Sequence, residues 1–225
     1  VFRPEAITID FFGTLVEEIF LPVNAICAKI CLRCPSVKQS TFVKYWVKAF
    51  SKLTDESYGD SFILQKEIEK RSLQQAIDHF KVDLKAAELT EELINYRSRP
   101  NLLPASRTVL AAARMPVCLV TNIDNEDIQK ALQFTGLHFN CVVTSEDCRA
   151  YKPRHEVYER ALNRLKLPPQ KVLHVGDSHH GDVTGAKALN IKVLWINQKK
   201  RTLTPEQVRP DYMAADLNEL RRFIE

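Results

Sequence analysis

Ala6-Ile7-Thr8-Ile9-Asp10-Phe11-Phe12-Gly13-Thr14-Leu15-Val16 is the stretch on which the fold turns. Four apolar or β-branched residues in a row read as a short strand buried on both faces, and the strand ends on a carboxylate. Parallel α/β sheets bind ligands just beyond the carboxyl ends of their strands. An Asp at that point is rigidly held, partly desolvated and aimed into the crevice. The plainer alternative is a strand followed by an Asp-containing turn. The later segments decide between the two.

Four of them repeat the design. Met115-Pro116-Val117-Cys118-Leu119-Val120 reads as a buried strand and runs into Thr121-Asn122. Cys141-Val142-Val143 runs into Thr144-Ser145-Glu146, and Val172-Leu173-His174-Val175 into Gly176-Asp177-Ser178. Val193-Leu194-Trp195-Ile196 is the fifth strand. Helices are expected at about 125–134, 153–166 and 183–189, with a last one over 215–224. Gly136 stops the first and Pro153 starts the second.

After Val16 the period changes. Residues 21–33, 37–53, 61–81 and 85–97 carry apolar residues three and four apart, as in Phe62, Leu64, Ile68, Leu73, Ile77 and Phe80. The fold class that follows is α/β, a doubly wound parallel sheet built from residues 1–16 and 100–225. An all-α cap domain, 17–99, is inserted after the first strand.

Bulk properties narrow the function. The chain has 225 residues, 45% apolar and 27% charged, as in ordinary globular proteins. A net charge of +4 suits a small anionic substrate at least as well as nucleic acid, and no long basic stripe is present. Lys199-Lys200-Arg201, the densest basic run, reads as a solvated loop. No apolar run is long enough to cross a bilayer. The chain opens on Val1 and shows no signal-peptide pattern. Six cysteines in a chain of this size do not suggest a disulfide framework, and Cys118 and Cys141 are expected as buried thiols. A reducing, cytoplasmic setting is the expectation, with neither nucleic acid nor membrane as partner. No oligomeric state follows from the sequence.

Cys27, Cys31 and Cys34 have the C-x3-C-x2-C spacing of radical SAM cluster loops. They fall in a helical run where Cys27 and Cys31 share a face, and Arg33 stands where that family has an aromatic. Packed thiols are the expected state.

The candidate site gathers at strand ends: Asp10, Thr121-Asn122, Lys152 and Asp177, with Asp182 five residues further on. Clustered carboxylates and main-chain carbonyls suit a hard cation such as Mg2+, which keeps waters and a substrate phosphate. A lysine and a hydroxyl suit phosphate oxygens. Positive charge keeps the carboxylates ionised, so Asp10 can attack phosphorus.

In this order the motifs resemble those of the haloacid dehalogenase (HAD) superfamily of hydrolases, in the subgroup with a helical cap after the first strand. The first motif matches Asp10, Gly13 and Thr14, the second Thr121 and Asn122, and the third Lys152-Pro153. The fourth matches Gly176-Asp177-Ser178-His179-His180-Gly181-Asp182. The resemblance implies a Rossmann-like core and a covalent intermediate on Asp10. It implies Mg2+ held by Asp10, the main-chain carbonyl of Phe12 and Asp177, with Asp182 behind them. Thr121, Asn122 and Lys152 would then hold the transferred group of a small phosphorylated metabolite.

One position departs. The family's phosphatases carry a second Asp, which moves protons, two residues after the nucleophile; here it is Phe12. General acid–base catalysis is worth typically ~10²–10⁴-fold. Three readings follow. The substrates have good leaving groups, or an acid such as Glu17 or Glu18 substitutes. Alternatively the enzyme is a 2-haloacid dehalogenase, a branch with an aromatic at this position and a cap arginine that Tyr45-Trp46-Val47-Lys48 lacks. Or the chain binds a phosphorylated ligand or a partner without turnover. A phosphonate-cleaving reading would need a small residue at position 12 and a cap lysine. His179 and His180 are adjacent on a loop, so at most one is expected to face the site. His155-Glu156 lacks the second histidine of a zinc-protease helix.

Overall fold

A computed structural model describes residues 2–224, apart from the side chains of residues 20 and 21. The opening strand β1 (Ala6–Ile9) lies in the middle of a six-stranded, wholly parallel sheet. Strands β2 (Val117–Thr121) and β3 (Cys141–Thr144) extend it on one side. Strands β4 (Val172–Gly176), β5 (Lys192–Ile196) and β6 (Tyr212–Ala214) extend it on the other, giving the order β3-β2-β1-β4-β5-β6. The winding direction therefore reverses between β1 and β4, and a crevice opens at such a reversal.

Side-chain alternation explains why the strands read as continuous apolar runs. Ile7 and Ile9 enter one core layer with Leu119, Leu173 and Val175, while Ala6 enters the other with Val120, Val172 and Val193. With helices on both faces, β1, β2 and β4 leave no position for solvent. Each fully buried isoleucine contributes about 1.5–3 kcal/mol.

Four helices separate β1 from the rest of the sheet: α1 (Phe20–Arg33), α2 (Gln39–Glu56), α3 (Gln65–His79) and α4 (Ala86–Ser98). They share their own core, built on Ile26, Ile30, Phe42, Trp46, Leu73, Ile77 and Leu93. The remaining helices are α5 (Ser106–Ala112), α6 (Asn125–Thr135), α7 (Ser145–Cys148), α8 (His155–Leu165), α9 (Gly185–Ala188) and α10 (Arg221–Ile224). Gly136 closes α6 at φ 66°, a left-handed conformation that favours glycine.

Two expectations need correction. The single helix foreseen over 215–224 is a 3-10 turn Leu217–Leu220 running into the short α10, and the strand β6 just before it was not foreseen. Three edge residues, with Met213 largely exposed, carry too little periodicity to announce a strand. Cys118 and Cys141 are not separate thiols. Adjacent parallel strands pair them in register with Cα atoms 4.6 Å apart, within disulfide reach, and they are bonded to each other. The run 199–201 is the exposed loop expected, and from it Lys199 bonds Glu18 and Arg201 bonds Asp177. Cys27, Cys31 and Cys34 do pack as thiols. Cys27 is buried and its thiol is pushed up to about 11, mainly by desolvation.

Helices α1–α4 and their linkers are tied to the rest of the fold by side chains and main chain alike. Asp124 occupies the cap position of α6, yet its carboxylate caps α3 instead, accepting the amides of Gln65 at 2.7 Å and Lys66 at 3.1 Å. Residues 57–63 bind the segment that carries Lys152. The Gly59 amide donates to the Arg149 carbonyl at 2.8 Å, and the Tyr151 hydroxyl donates to the Ile63 carbonyl at 2.8 Å. Arg154 lies 3.8 Å over the Tyr58 ring.

Candidate active site

Asp10 follows β1 and Asp177 follows β4, so the two neighbouring strand ends at the reversal place them side by side. Ligand oxygens of Asp10, Asp177 and Asp182 all lie within 4.8 Å of one another. Among the described residues no other trio of potential metal ligands comes together. The turns are shaped for this closeness. A Cβ on Gly13 would sit 2.6 Å from Asp177, and one on Gly176 would sit 2.2 Å from Asp182. Gly13 also has φ 84°. Both positions therefore need glycine.

Lys152 arrives from the loop before α8 and ties the trio together. Its ammonium donates to Asp10 Oδ1 and Asp182 Oδ1, both at 2.6 Å, and to the Val120 carbonyl at 3.1 Å. Burial opposes its charge, but Asp10 and Asp182 outweigh burial and hold its pKa above the ordinary lysine range. Asp182 is buried too, yet Lys152 and His174 keep it ionised well below the usual carboxylate range. Its other oxygen accepts the Ser178 amide at 2.9 Å. Asp182 is thus fully engaged by protein and acts on the site through Lys152.

His174 extends this network into the sheet. Its Nε2 lies 3.1 Å from Asp182 Oδ1 and its Nδ1 3.0 Å from Thr8 Oγ1. Burial pushes the imidazole pKa down, so the ring is neutral. An ionised Asp182 only accepts, so Nε2 carries the proton and Nδ1 accepts from the Thr8 hydroxyl.

The remaining two carboxylates are under electrostatic pressure. Burial raises Asp10 to about 6, with Lys152 opposing and Asp182 adding to the rise. Burial also raises Asp177 to about 8, helped by Asp10, Asp182 and Glu18. Three acids facing one buried lysine are short of positive charge, and their oxygens are hard donors. The residues fit a divalent cation such as Mg2+. Arg201 relieves the shortage in part, with Nη2 2.7 Å from the Asp177 carbonyl and 3.7 Å from Oδ2.

The other expected residues take varied places. Thr121 is buried at the end of β2. The Asn122 amide is spent on the main chain of Lys152: it accepts that residue's N–H at 2.7 Å and donates to its carbonyl at 3.2 Å. It therefore positions the lysine. Phe12 packs half-buried against the core and edge-on to Phe11, with centroids 5.1 Å apart. Glu17 accepts from Asn101, and Glu18 binds Lys199. His179 bonds the Val208 carbonyl at 2.9 Å, and exposed His180 lies 4.0 Å from Asp55. Sequence reasoning passed over His174 and Arg201. A histidine inside an apolar strand was the available signal for the first.

Comparisons with known proteins give the family and the fold. Haloacid dehalogenase-like hydrolase domain-containing protein 3 of Danio rerio is 34% identical over 104 residues, covering 45% of this chain and 43% of the relative. Phosphoserine phosphatase of Thermus thermophilus is 30% identical over 141 residues, covering 60% and 56%. The matches thus span about half the length of these relatives. A solved L-2-haloacid dehalogenase superimposes with a TM-score of 0.80 over 99% of both chains at 20% identity, which shows the fold alone. The haloacid dehalogenase-like hydrolase family profile matches residues 4–190, so this chain belongs to the haloacid dehalogenase-like hydrolases.

Proposed function

We propose that the chain is a Mg2+-dependent phosphatase of small phosphorylated metabolites, with Asp10 as the nucleophile. The observation that carries this reading is the Asp10–Asp177–Asp182 cluster, short of positive charge, with Lys152 donating to two of its members. Asp10 attacks phosphorus, the bond to the leaving oxygen breaks, and water then cleaves the aspartyl phosphate. Lys152 keeps Asp10 ionised and meets charge on the phosphoryl oxygens, with Thr121 beside it. Asp10, Asp177 and the Phe12 main-chain oxygen would hold Mg2+, which supplies further positive charge for the phosphoryl group. Asp182, Asn122 and His174 fix the lysine. The helical insert serves as a cap over the crevice.

Phe12 cannot protonate a leaving alkoxide. The preferred substrates are therefore activated aryl or acyl phosphates, whose leaving groups depart without a proton. The same residue favours a second reading, a 2-haloacid dehalogenase, because halide also leaves unprotonated. Against it, the Asp177 position supplies an acid that a metal-free reaction has no use for.

Release of phosphate from 4-nitrophenyl and acetyl phosphate, with Mg2+ and with EDTA, tests the first reading. Release of chloride from 2-chloropropionate tests the second. Asp10→Asn is the control for both. Mg2+-dependent phosphate release abolished by Asp10→Asn is expected. Equal release by both proteins, or chloride release alone, refutes the phosphatase.

A further inference from the structure

Strand β5 ends on the same edge of the sheet as β1 and β4, and the loop that leaves it turns back to Asp177. Asn197 builds that turn. Its buried side-chain amide accepts the Arg201 N–H and donates to the Arg201 carbonyl, both at 2.9 Å. The Asn197 N–H itself donates to the Ala214 carbonyl at 2.8 Å, which fixes the turn to β6. Lys200 donates its N–H to the Asn197 carbonyl at 3.0 Å and is held at φ 50°, a left-handed conformation uncommon for lysine. A turn that clamps both main-chain groups of one residue, with a strained neighbour, sets the direction of that residue's side chain.

The side chain so directed is a guanidinium at the rim of the crevice. Arg201 Nη2 donates to the Asp177 carbonyl at 2.7 Å, and the Trp195 indole N–H donates to the same oxygen at 2.8 Å. The guanidinium carbon lies 5.6 Å from the centroid of the buried Trp195 ring. Held in this way, the fork has little freedom left to lose on binding. Its charge is not fully met. The Arg201 side chain is 42% exposed, and Asp177 Oδ2 stands 3.7 Å from Nη2, beyond a hydrogen bond. The Asp177 carboxylate belongs instead with those of Asp10 and Asp182. The neighbouring Lys199 is joined to Glu18. Among the described residues, Arg201 Nε and Nη1 have no hydrogen-bond partner. A positioned cation beside the crevice, with donors to spare, is suited to an anion that the protein does not supply.

We infer that the Asp10 site takes a substrate with two anionic ends, a phosphate that meets Lys152 and a carboxylate that pairs with Arg201, so that Arg201 determines specificity. The inference rests on the phosphatase reading for the phosphate end. Strand β5 lies two strands from β1, so the two ends are roughly 10 Å apart across the sheet. That separation suits a carboxylate carried on the far side of the leaving group. A planar carboxylate matches the guanidinium fork, which a lysine cannot reproduce.

Two unhydrolysable probes of equal shape, 4-(phosphonomethyl)benzoate and 4-(phosphonomethyl)benzamide, test this by calorimetric titration of the wild-type protein in Mg2+. The carboxylate probe should bind roughly three- to tenfold more tightly, the worth of a partly exposed bidentate pair. Arg201→Gln should equalise the two by weakening the carboxylate probe and leaving the amide probe unchanged. Arg201→Lys should keep part of the preference. Equal binding of the probes by wild type, or an unchanged preference in Arg201→Gln, would overturn the inference. So would an equal loss for both probes in Arg201→Gln, since Arg201 would then serve only to support Asp177. Binding of neither probe by wild type also overturns it, and the phosphatase reading is then judged on phosphate release alone. The expected preference in a protein that releases no phosphate from 4-nitrophenyl or acetyl phosphate sinks only the phosphatase reading. Phosphate release without a probe preference sinks only the role given to Arg201.

Discussion

Replacing Lys152 with Met keeps length and volume while removing the charge that joins Asp10 to Asp182. Breaking a buried ion pair costs about 3–5 kcal/mol, and ~1.4 kcal/mol corresponds to one pKa unit. Asp10, held at about 6 with the lysine present, should therefore rise by about two units or more, to about 8 or above. At pH 7 about a tenth of the nucleophile, or less, would then be ionised. Loss of the positive charge near the phosphoryl oxygens adds about another 10²-fold. The kcat/KM profile of the variant should show its acidic limb displaced to higher pH, with partial recovery by pH 9. Stability follows the same shift. A carboxyl whose folded pKa is raised above its unfolded value stabilises the fold while protonated and ceases to do so as pH rises through the folded pKa. Melting in EDTA should thus show a smaller deficit at pH 5 than at pH 8. Activity within threefold of wild type at pH 7, or an equal loss of Tm at both pH values, would refute the role given to this lysine.

Other consequences are equally direct. Phe12→Asp should raise turnover of phenyl phosphate relative to 4-nitrophenyl phosphate, by up to ~10²–10⁴-fold; an unchanged ratio shows that the missing acid is not the limitation. Asp177, raised to about 8 mainly by burial, must lose its proton to bind a cation, so Mg2+ should raise Tm more at pH 8 than at pH 6 in scanning fluorimetry. The opposite trend counts against the metal site. Asp124→Ala removes the cap from α3 and should cost ~0.5–2 kcal/mol in urea unfolding.

The parts of this molecule that sequence pattern conveyed are those where local chemistry and global position coincide. Asp10, Thr121 and Asp177 each follow an apolar run, and strand ends in a parallel sheet necessarily meet along one edge. Lys152 was legible only through the order of the motifs, because it lies on a loop and its position depends on the Asn122 amide. Strand β6 escaped because three edge residues have no pattern. The Cys118–Cys141 pairing depends on the register of two strands, which spacing along the chain does not encode. The Glu69–Arg97–Asp127 cluster joins α3, α4 and α6 and was beyond any local signal. Basic residues at 199–201 looked like solubilising charge, and only the fold shows that their exposed loop also returns to Glu18 and to Asp177.

Thr8 sits in the interior of β1, two positions before Asp10, and its hydroxyl reaches the Asp10 carboxylate through His174, Asp182 and Lys152. The chemistry of this protein is consequently not a detachable surface feature but an outcrop of its foundations. A change at Thr8 is therefore felt at Asp10 through three buried side chains, so the middle of the sheet and the carboxylate at its edge move as one unit.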